Sequence, residues 1–183
     1  MLILIVASLV GVQPIECMTE FRRPPSASQD FPPQSVGVPF FANLNSRILG
    51  ELIRFCTIVE CEAGECLLRQ GEQDNSLMFL LDGEIHIEKD GELVAGAWKK
   101  GELLGEISHL RKTPRSATLI ANTSLQCLKV HPEFLDHLPA SERDAYQAAL
   151  YRHLAHVLAD RLEFTSRRLV HLEGKLAGAG VAV

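Results

Sequence analysis

The sequence has no apolar run long enough to cross a bilayer, no block of basic residues, no Cys-x-x-Cys pair, and few aromatic residues (6%). Each absence excludes a class of protein. The longest apolar stretch is about eleven residues at the amino terminus, against the roughly 20 a spanning helix needs, so no membrane span is expected. Lys and Arg number 18 against 23 Asp and Glu, for a net charge of -5. Such an acidic chain is a poor nonspecific partner for nucleic acid or anionic membranes. A length of 183 residues, 46% hydrophobic and 22% charged, argues against tandem domains, collagen or a disordered tail protein, and suffices to bury a real core.

The five cysteines stand at 17, 56, 61, 66 and 127. Cys56, Cys61 and Cys66 recur every five residues, which matches no zinc pattern and differs from the short Cys-x2-Cys steps of iron–sulfur sites. They are expected to be reduced, buried or half-buried thiols of a cytosolic protein, with a redox or metal role as the alternative.

What the chain does have is a succession of short strands. Ile48, Leu49, Leu52, Ile53 and Phe55 first fall at helical spacing, which predicts a short amphipathic helix over 45–55. The rhythm then changes to apolar runs of a few residues, punctuated by Gly64, Gly71, Gly83, Gly91, Gly101 and Gly105. Glu84 to Glu88 alternates with period two, and Asp90-Gly91 followed by Leu93-Val94-Ala95 reads as a hairpin with a primed turn. Leu77 to Leu81, Thr118 to Ala121 and Leu125 to Val130 complete the series. The fold class expected is therefore α+β: a small antiparallel sandwich or roll of seven or eight strands with helices around it.

No constellation for turnover accompanies this architecture. A metal-binding roll of the cupin kind needs a His-x-His pair and a Glu, whereas His86 stands alone on its strand between Glu84 and Glu88. No Ser/His/Asp or Cys/His group is placed by spacing, and no paired carboxylates stand out. Binding rather than catalysis is expected, with no metal and no cofactor.

The segment from Leu103 to Thr118 interrupts the strand rhythm. A glycine precedes one helical turn beginning at Glu106, and a polar turn leads to Arg115. The open N–H groups of a helix start favour an anion, and the planar fork of Arg115 suits phosphate. Glu106 would repel phosphate alone, so an acceptor beside a phosphate clamp makes sense when the ligand also offers a hydroxyl. Phosphate with a ribose hydroxyl means a nucleotide. The simpler alternative is a surface ion pair of Glu106 with Arg115, worth little.

Gly105-Glu106-Ile107-Ser108 followed by Pro114-Arg115-Ser116-Ala117-Thr118 resembles the phosphate-binding cassette of the cyclic-nucleotide-binding domain family. The spacing from Glu106 to Arg115 is similar to that in regulatory subunits of cAMP-dependent protein kinase. The resemblance covers about residues 40 to 173 and includes the turn glycines Gly64, Gly71, Gly83 and Gly101. It implies a β-roll (double-stranded β-helix, jelly-roll-like). It also implies that Glu106 accepts from the ribose 2′-OH and that Arg115 pairs with the exocyclic phosphate oxygens. Backbone N–H groups around Ile107, Ser108 and Ala117, with the Ser116 hydroxyl, would complete the cradle that Gly105 leads into. His109 departs from the pattern, because the family usually has an aliphatic residue packing the cassette helix inward there.

Pro132 opens a short helical turn through His137, and Ser141 to Asp144 reads as an N-cap with acidic residues in the first turn. Helical periodicity then runs to about Glu173, where Gly174 is expected to end it. That is roughly 50 Å of helix. Ala155, Leu158, Leu162, Thr165, Leu169, Leu172 and Leu176 alternate three and four apart, a coiled-coil seam that predicts a homodimer. Leu154, Val157 and Phe164 make a second apolar face suited to an intramolecular contact; a single helix packed on its own roll is the alternative. Arg161-Leu162-Glu163-Phe164-Thr165-Ser166 is similar to the dimer helix of the bacterial cAMP receptor protein family. That similarity implies base contacts by Thr165 in cis and Ser166 in trans, with Arg161 near the base, and favours cAMP over cGMP. Ser116 by itself does not separate the two nucleotides.

The organisation expected is an apolar start and flexible lead-in (1–37), a ligand-binding roll (38–131), C-terminal helices (132–174, the dimer helix about 141–173) and a short tail (175–183). The apolar start reads either as a weak signal sequence or as an upstream extension with the working start at Met18. The second is favoured, because cyclic nucleotides are cytosolic, and a cytoplasmic protein is expected. The tail is too short for the helix-turn-helix domain that follows the dimer helix in the cAMP receptor protein, so no direct DNA binding is expected. The expected function is a stand-alone sensor that binds cAMP and signals through shape to an effector protein. The alternative is an interaction module whose pocket is empty or holds another ligand.

Overall fold

The computed structural model describes residues 38–98 and 100–178. The apolar start, the lead-in and the last five residues of the tail lie outside the described residues. The chain divides between Leu138 and Pro139 into two compact units.

The first unit is a roll of eight strands: β1 (Cys56–Cys61), β2 (Cys66–Leu68), β3 (Leu77–Asp82), β4 (Ile85–Lys89), β5 (Glu92–Trp98), β6 (Leu103–Leu104), β7 (Thr118–Ala121) and β8 (Leu125–Val130). They form two four-stranded sheets, in the order β1-β8-β3-β6 and β2-β7-β4-β5. Every described pairing is antiparallel. β3 lies between β8 and β6 and reads as an unbroken apolar run because all of Leu77 to Leu81 is buried. The core is formed from both sheets by Val59, Leu80, Ile85, Leu104, Leu119 and Cys127, among others.

The local signals act as their chemistry requires. Asp90 and Gly91 both have positive φ (54° and 82°), the two left-handed positions of a type I′ turn, and they join β4 to β5. On the inner strand β4, His86 contacts Asn122 Oδ1 (2.5 Å) and Glu88 Oε1 (3.2 Å). The helix α1 spans Ser46–Arg54, with Asn45 Oδ1 capping the Ile48 N–H (2.9 Å). Upstream of it, Phe40 stacks on Phe79 and Phe41 tilts against the same ring (centroids 5.3 and 4.7 Å). At the far end of the roll, Phe55 stacks on His137 (4.3 Å) within the 3-10 turn Pro132–His137.

Cys56, Cys61 and Cys127 are buried free thiols. Burial pushes Cys56 up to about 12, despite a backbone hydrogen bond, and pushes Cys61 up to about 11, with Glu65 adding to it. These are inert packing thiols. Cys66 departs from the expected reduced state: it is disulfide-bonded.

The second unit is the helix α3, Ala140–Gly178, of 39 residues. A short six-residue helix α2, Glu106–Arg111, lies within the roll. Two expectations for α3 are corrected. Ser141 is not its N-cap: Pro139 takes that place, its carbonyl accepting from Glu142 N (3.0 Å) and Arg143 N (2.9 Å). Gly174 does not end it either. A glycine inside a helix costs only about 1 kcal/mol, and Lys175, Leu176 and Ala177 carry the helix on to Gly178. The second apolar face also fails to run the whole length. Leu154 is buried and Val157 half-buried, but Phe164 is 58% exposed.

Candidate ligand site

The site is built where β6 ends and the chain turns into α2. Gly105 makes that turn with φ +82°, in the left-handed region. A Cβ there would also collide with the Arg115 guanidinium, so glycine is required twice over. Lys112, with φ +54°, closes α2, and the chain returns through Pro114 to Arg115. The Arg115 backbone is locked to the loop after β2: its N–H donates to Glu72 O (2.9 Å) and its carbonyl accepts from Gly71 N (2.8 Å).

The Arg115 side chain turns inward and is 3% exposed. Nη1 donates to Ser108 Oγ (2.7 Å) and to Gly105 O (3.1 Å). Nη2 donates to Ser76 O (2.9 Å), Ser76 Oγ (3.1 Å) and Asp74 Oδ2 (2.9 Å). Nε is buried and has no hydrogen-bond partner among the described residues. The arginine is thus held by one carboxylate, two hydroxyls and two carbonyls, with one donor left over.

Asp74 is the other centre of charge. Its Oδ1 accepts from Ser76 N (2.8 Å), an Asx turn at the mouth of β3. Oδ2 accepts from Ser76 Oγ (2.9 Å), Arg115 Nη2 (2.9 Å) and Lys129 Nζ (3.2 Å) on β8. Burial alone would raise this carboxyl, but the Ser76 N–H, then Arg115, then Lys129 outweigh it and hold the group well below the usual carboxylate range.

His109 contributes a second tie between α2 and the same loop. Its Nδ1 lies 2.9 Å from Asn75 O, and because a carbonyl only accepts, Nδ1 carries the proton. Burial lowers its titration, against the Asn75 carbonyl and with help from the charges of Lys112 and Arg115, so the ring is neutral near pH 7. The polar residue at this departure from the family pattern therefore straps the helix rather than packing as an aliphatic would.

The residues expected from the sequence fall into two groups. Gly105, Glu106, Ile107, Ser108, Arg115, Ser116 and Ala117 come together in the roll. Within it Glu106 (4% exposed) and Ser108 (1%) are buried, Ile107 and Ser116 face outward, and Ala117 is half-buried. Burial of both Glu106 and Arg115 disposes of a surface ion pair between two loops; the ion partner of Arg115 is Asp74. Arg161, Thr165 and Ser166 belong to the separate unit α3, where Thr165 Oγ1 donates to Arg161 O (2.8 Å). Sequence reading missed Asp74, Ser76 and Lys129. Asp74-Asn75-Ser76 consists of turn-forming residue types, but the pairing of Asp74 with Arg115 joins residues 41 positions apart.

The two-sheet roll thus sets an inward arginine beside a glycine-led helix start. Residues 58–142 match the family model described as the cyclic nucleotide-binding domain. The chain is 30% identical over 89 residues to a cAMP-dependent protein kinase regulatory subunit of Schizosaccharomyces pombe, covering 49% of this chain and 22% of that protein. It is 32% identical over 129 residues to Glutaminase 1 of Bradyrhizobium diazoefficiens, covering 68% of this chain and 20% of the other. Among solved structures, a putative cyclic nucleotide-binding protein from Geobacter metallireducens shares the fold. Its TM-score is 0.62 at 18% identity, over 73% of this chain and 99% of that one. The chain spans about a quarter or less of the length of the curated relatives it matches. Among the described residues, no helix is long and apolar enough to cross a membrane.

Proposed function

We propose that the chain is a cytoplasmic cyclic-nucleotide sensor that favours cAMP over cGMP, acts as a homodimer, and signals through a change of shape to a protein partner. The observation that carries the ligand is the buried Arg115, positioned by the α2 start with one donor, Nε, still open. Its guanidinium would take the exocyclic oxygens of the cyclic phosphate, in a pocket where charge-assisted hydrogen bonds are strong. Backbone N–H groups around Ile107, Ser108 and Ala117, with the Ser116 hydroxyl, would complete the cradle that Gly105 leads into. Glu106 would accept from the ribose 2′-OH. The module binds its ligand and does not turn it over.

Nucleotide preference is assigned to the long helix. The similarity of Arg161 to Ser166 to the dimer helix of the cAMP receptor protein supports Thr165 reading the adenine amino group, Ser166 reaching the nucleotide of the second copy, and Arg161 approaching the base. The dimer reading is supported by exposure along the seam, where Leu158, Leu162, Leu169 and Leu172 are 36%, 69%, 56% and 47% exposed. A stripe of leucines left in water is costly, and a second copy would cover it. Ligand can shift such a dimer only through contacts that differ between its two shapes, and the helix contacts supply these.

Calorimetric titration of the full chain with cAMP and cGMP tests the reading, with mass spectrometry of nucleotide carried through purification as a second measure. Binding of cAMP, tighter than cGMP, is expected. No heat with either nucleotide at high micromolar concentration would overturn it.

A further inference from the structure

The Arg115 guanidinium is held from two sides by two different segments. On one side, α2 and its entry supply Ser108 Oγ (2.7 Å) and Gly105 O (3.1 Å) to Nη1. On the other, the turn before β3 supplies Asp74 and Ser76 to Nη2. The fork keeps its aim only while these two segments keep their spacing. His109 links them directly. Its backbone N–H donates to Gly105 O (3.2 Å), the carbonyl that also accepts from Arg115 Nη1 and from Ser108 Oγ. Its ring Nδ1–H donates to Asn75 O (2.9 Å), which lies between Asp74 and Ser76 in the chain. One residue is therefore bonded to both halves of the clamp. An aliphatic side chain at this position would pack but offer the turn no donor.

We propose that His109 is a positioning residue of the ligand site, whose ring holds the two halves of the Arg115 clamp in register and whose second nitrogen makes nucleotide affinity respond to pH. This rests on the reading that the roll takes a cyclic nucleotide. Both properties come from one tautomer. Nδ1 keeps its proton on Asn75 O, so an added proton goes to Nε2 and leaves the strap intact. The imidazolium so formed is opposed by burial and by two cations, Lys112 at the end of its own helix and Arg115 from the segment after it. The Asn75 carbonyl, from the turn, favours it. Asp74, the carboxylate of that turn, is engaged by Arg115 and Lys129. A cyclic phosphate on Arg115 brings a negative charge that offsets the two cations. The ring then titrates higher in the complex than in the free protein. Binding takes up protons, and affinity is greatest in acid and falls as pH rises through the titration of the complex.

The experiment is calorimetric titration of the full chain with cAMP, in buffers of different protonation enthalpy from about pH 5 to about pH 8, a span that includes the ordinary imidazole range. Wild type, His109→Asn and His109→Leu are compared. Asn carries an N–H near the place of Nδ1 and cannot take a second proton, whereas Leu offers neither. Wild type should take up protons on binding at the acidic end and none at the alkaline end. His109→Asn should match wild-type affinity at the alkaline end and lose the proton uptake. His109→Leu should also lose the uptake and should bind about fivefold more weakly at the alkaline end, the worth of one hydrogen bond. If His109→Leu binds there like wild type, or if the uptake persists undiminished in His109→Asn, His109 has no such role. Where a variant does not fold, wild type still decides. Nitrogen-15 NMR of the His109 ring should find the proton of the neutral form on Nδ1, and its titration should move upward when cAMP is added. The opposite tautomer, or a titration unmoved by cAMP, refutes the proposal. Absence of any wild-type binding heat instead brings down the ligand reading itself, an outcome distinct from an unaffected variant.

Discussion

Asp74 and Arg115 meet through Oδ2 and Nη2 at 2.9 Å, joining the turn that opens β3 to the segment that follows α2. The pair fixes the guanidinium before any ligand arrives. Arg115 is thereby preorganised: the entropy of immobilising a long side chain is lost on folding and not again on binding.

Replacing Arg115 should weaken cAMP binding through loss of the phosphate pair. Arg115→Ala is expected to lose about 1.5–3 kcal/mol of affinity. Arg115→Lys should recover little of it, because one ammonium cannot serve Ser108, Ser76 and Asp74 together and still present a fork. Calorimetry on both variants decides the matter, and an unchanged dissociation constant for Arg115→Ala removes the arginine from the site.

Gly105→Ala should damage stability and binding together. The left-handed backbone and the blocked path of the guanidinium act at one position, so a loss of about 1–3 kcal/mol is expected in urea unfolding. Binding of cAMP should fall further than that, since Arg115 must move to admit the methyl group. A variant as stable as wild type would contradict the close approach of the two residues.

The carboxyl of Asp74 titrates below its unfolded value, which fixes a sign for acid stability. Its contribution is complete above the unfolded carboxylate range, about pH 4, and is lost as pH falls through the folded value. Asp74→Asn should therefore be less stable than wild type at pH 7, with the difference shrinking as the solution is acidified. Urea midpoints between about pH 2 and pH 7 test this; a difference that grows on acidification contradicts it.

Thr165 is exposed on α3, and its hydroxyl is bonded to Arg161 O within the same helix. Thr165→Ala should accordingly leave the urea midpoint within about 0.5 kcal/mol of wild type while narrowing the preference for cAMP over cGMP. An unchanged ratio of the two affinities ends its assignment to the base.

Leu162 is more exposed than Leu158, Leu169 or Leu172 along the seam. Leu162→Glu should turn a dimer into a monomer by placing like charges across the seam, with the roll still folded. Analytical ultracentrifugation checks this, and a wild-type monomer at tens of micromolar would show that the stripe is not covered by a second copy.

The strands and the cassette were legible because their signals are local. Alternation at 84–88, Asp90-Gly91 at the hairpin and Gly105 before Glu106 each depend on neighbours in sequence. The charge cluster was not legible, because Asp74, Arg115 and Lys129 come from three separated segments that only the folding of the roll unites. The ends of α3 were misplaced for a similar reason. Ser141 and Gly174 are good terminators in isolation, but Pro139 begins the helix earlier and the residues after Gly174 sustain it. The aromatic contacts of Phe40 and Phe41 with Phe79 also cross long stretches of chain that no periodicity links.

Those aromatic contacts give the roll a mechanical handle. Phe79 lies on β3, three residues beyond Ser76, so Phe40 and Phe41 grip the strand that carries the Asp74 turn. Tension applied to the chain upstream of Val38 would be delivered through stacked rings to the strand that opens at the arginine's carboxylate. A fusion or tether joined on that side would pull on the site, whereas a cut made after Phe41 would leave Phe79 without its covering rings.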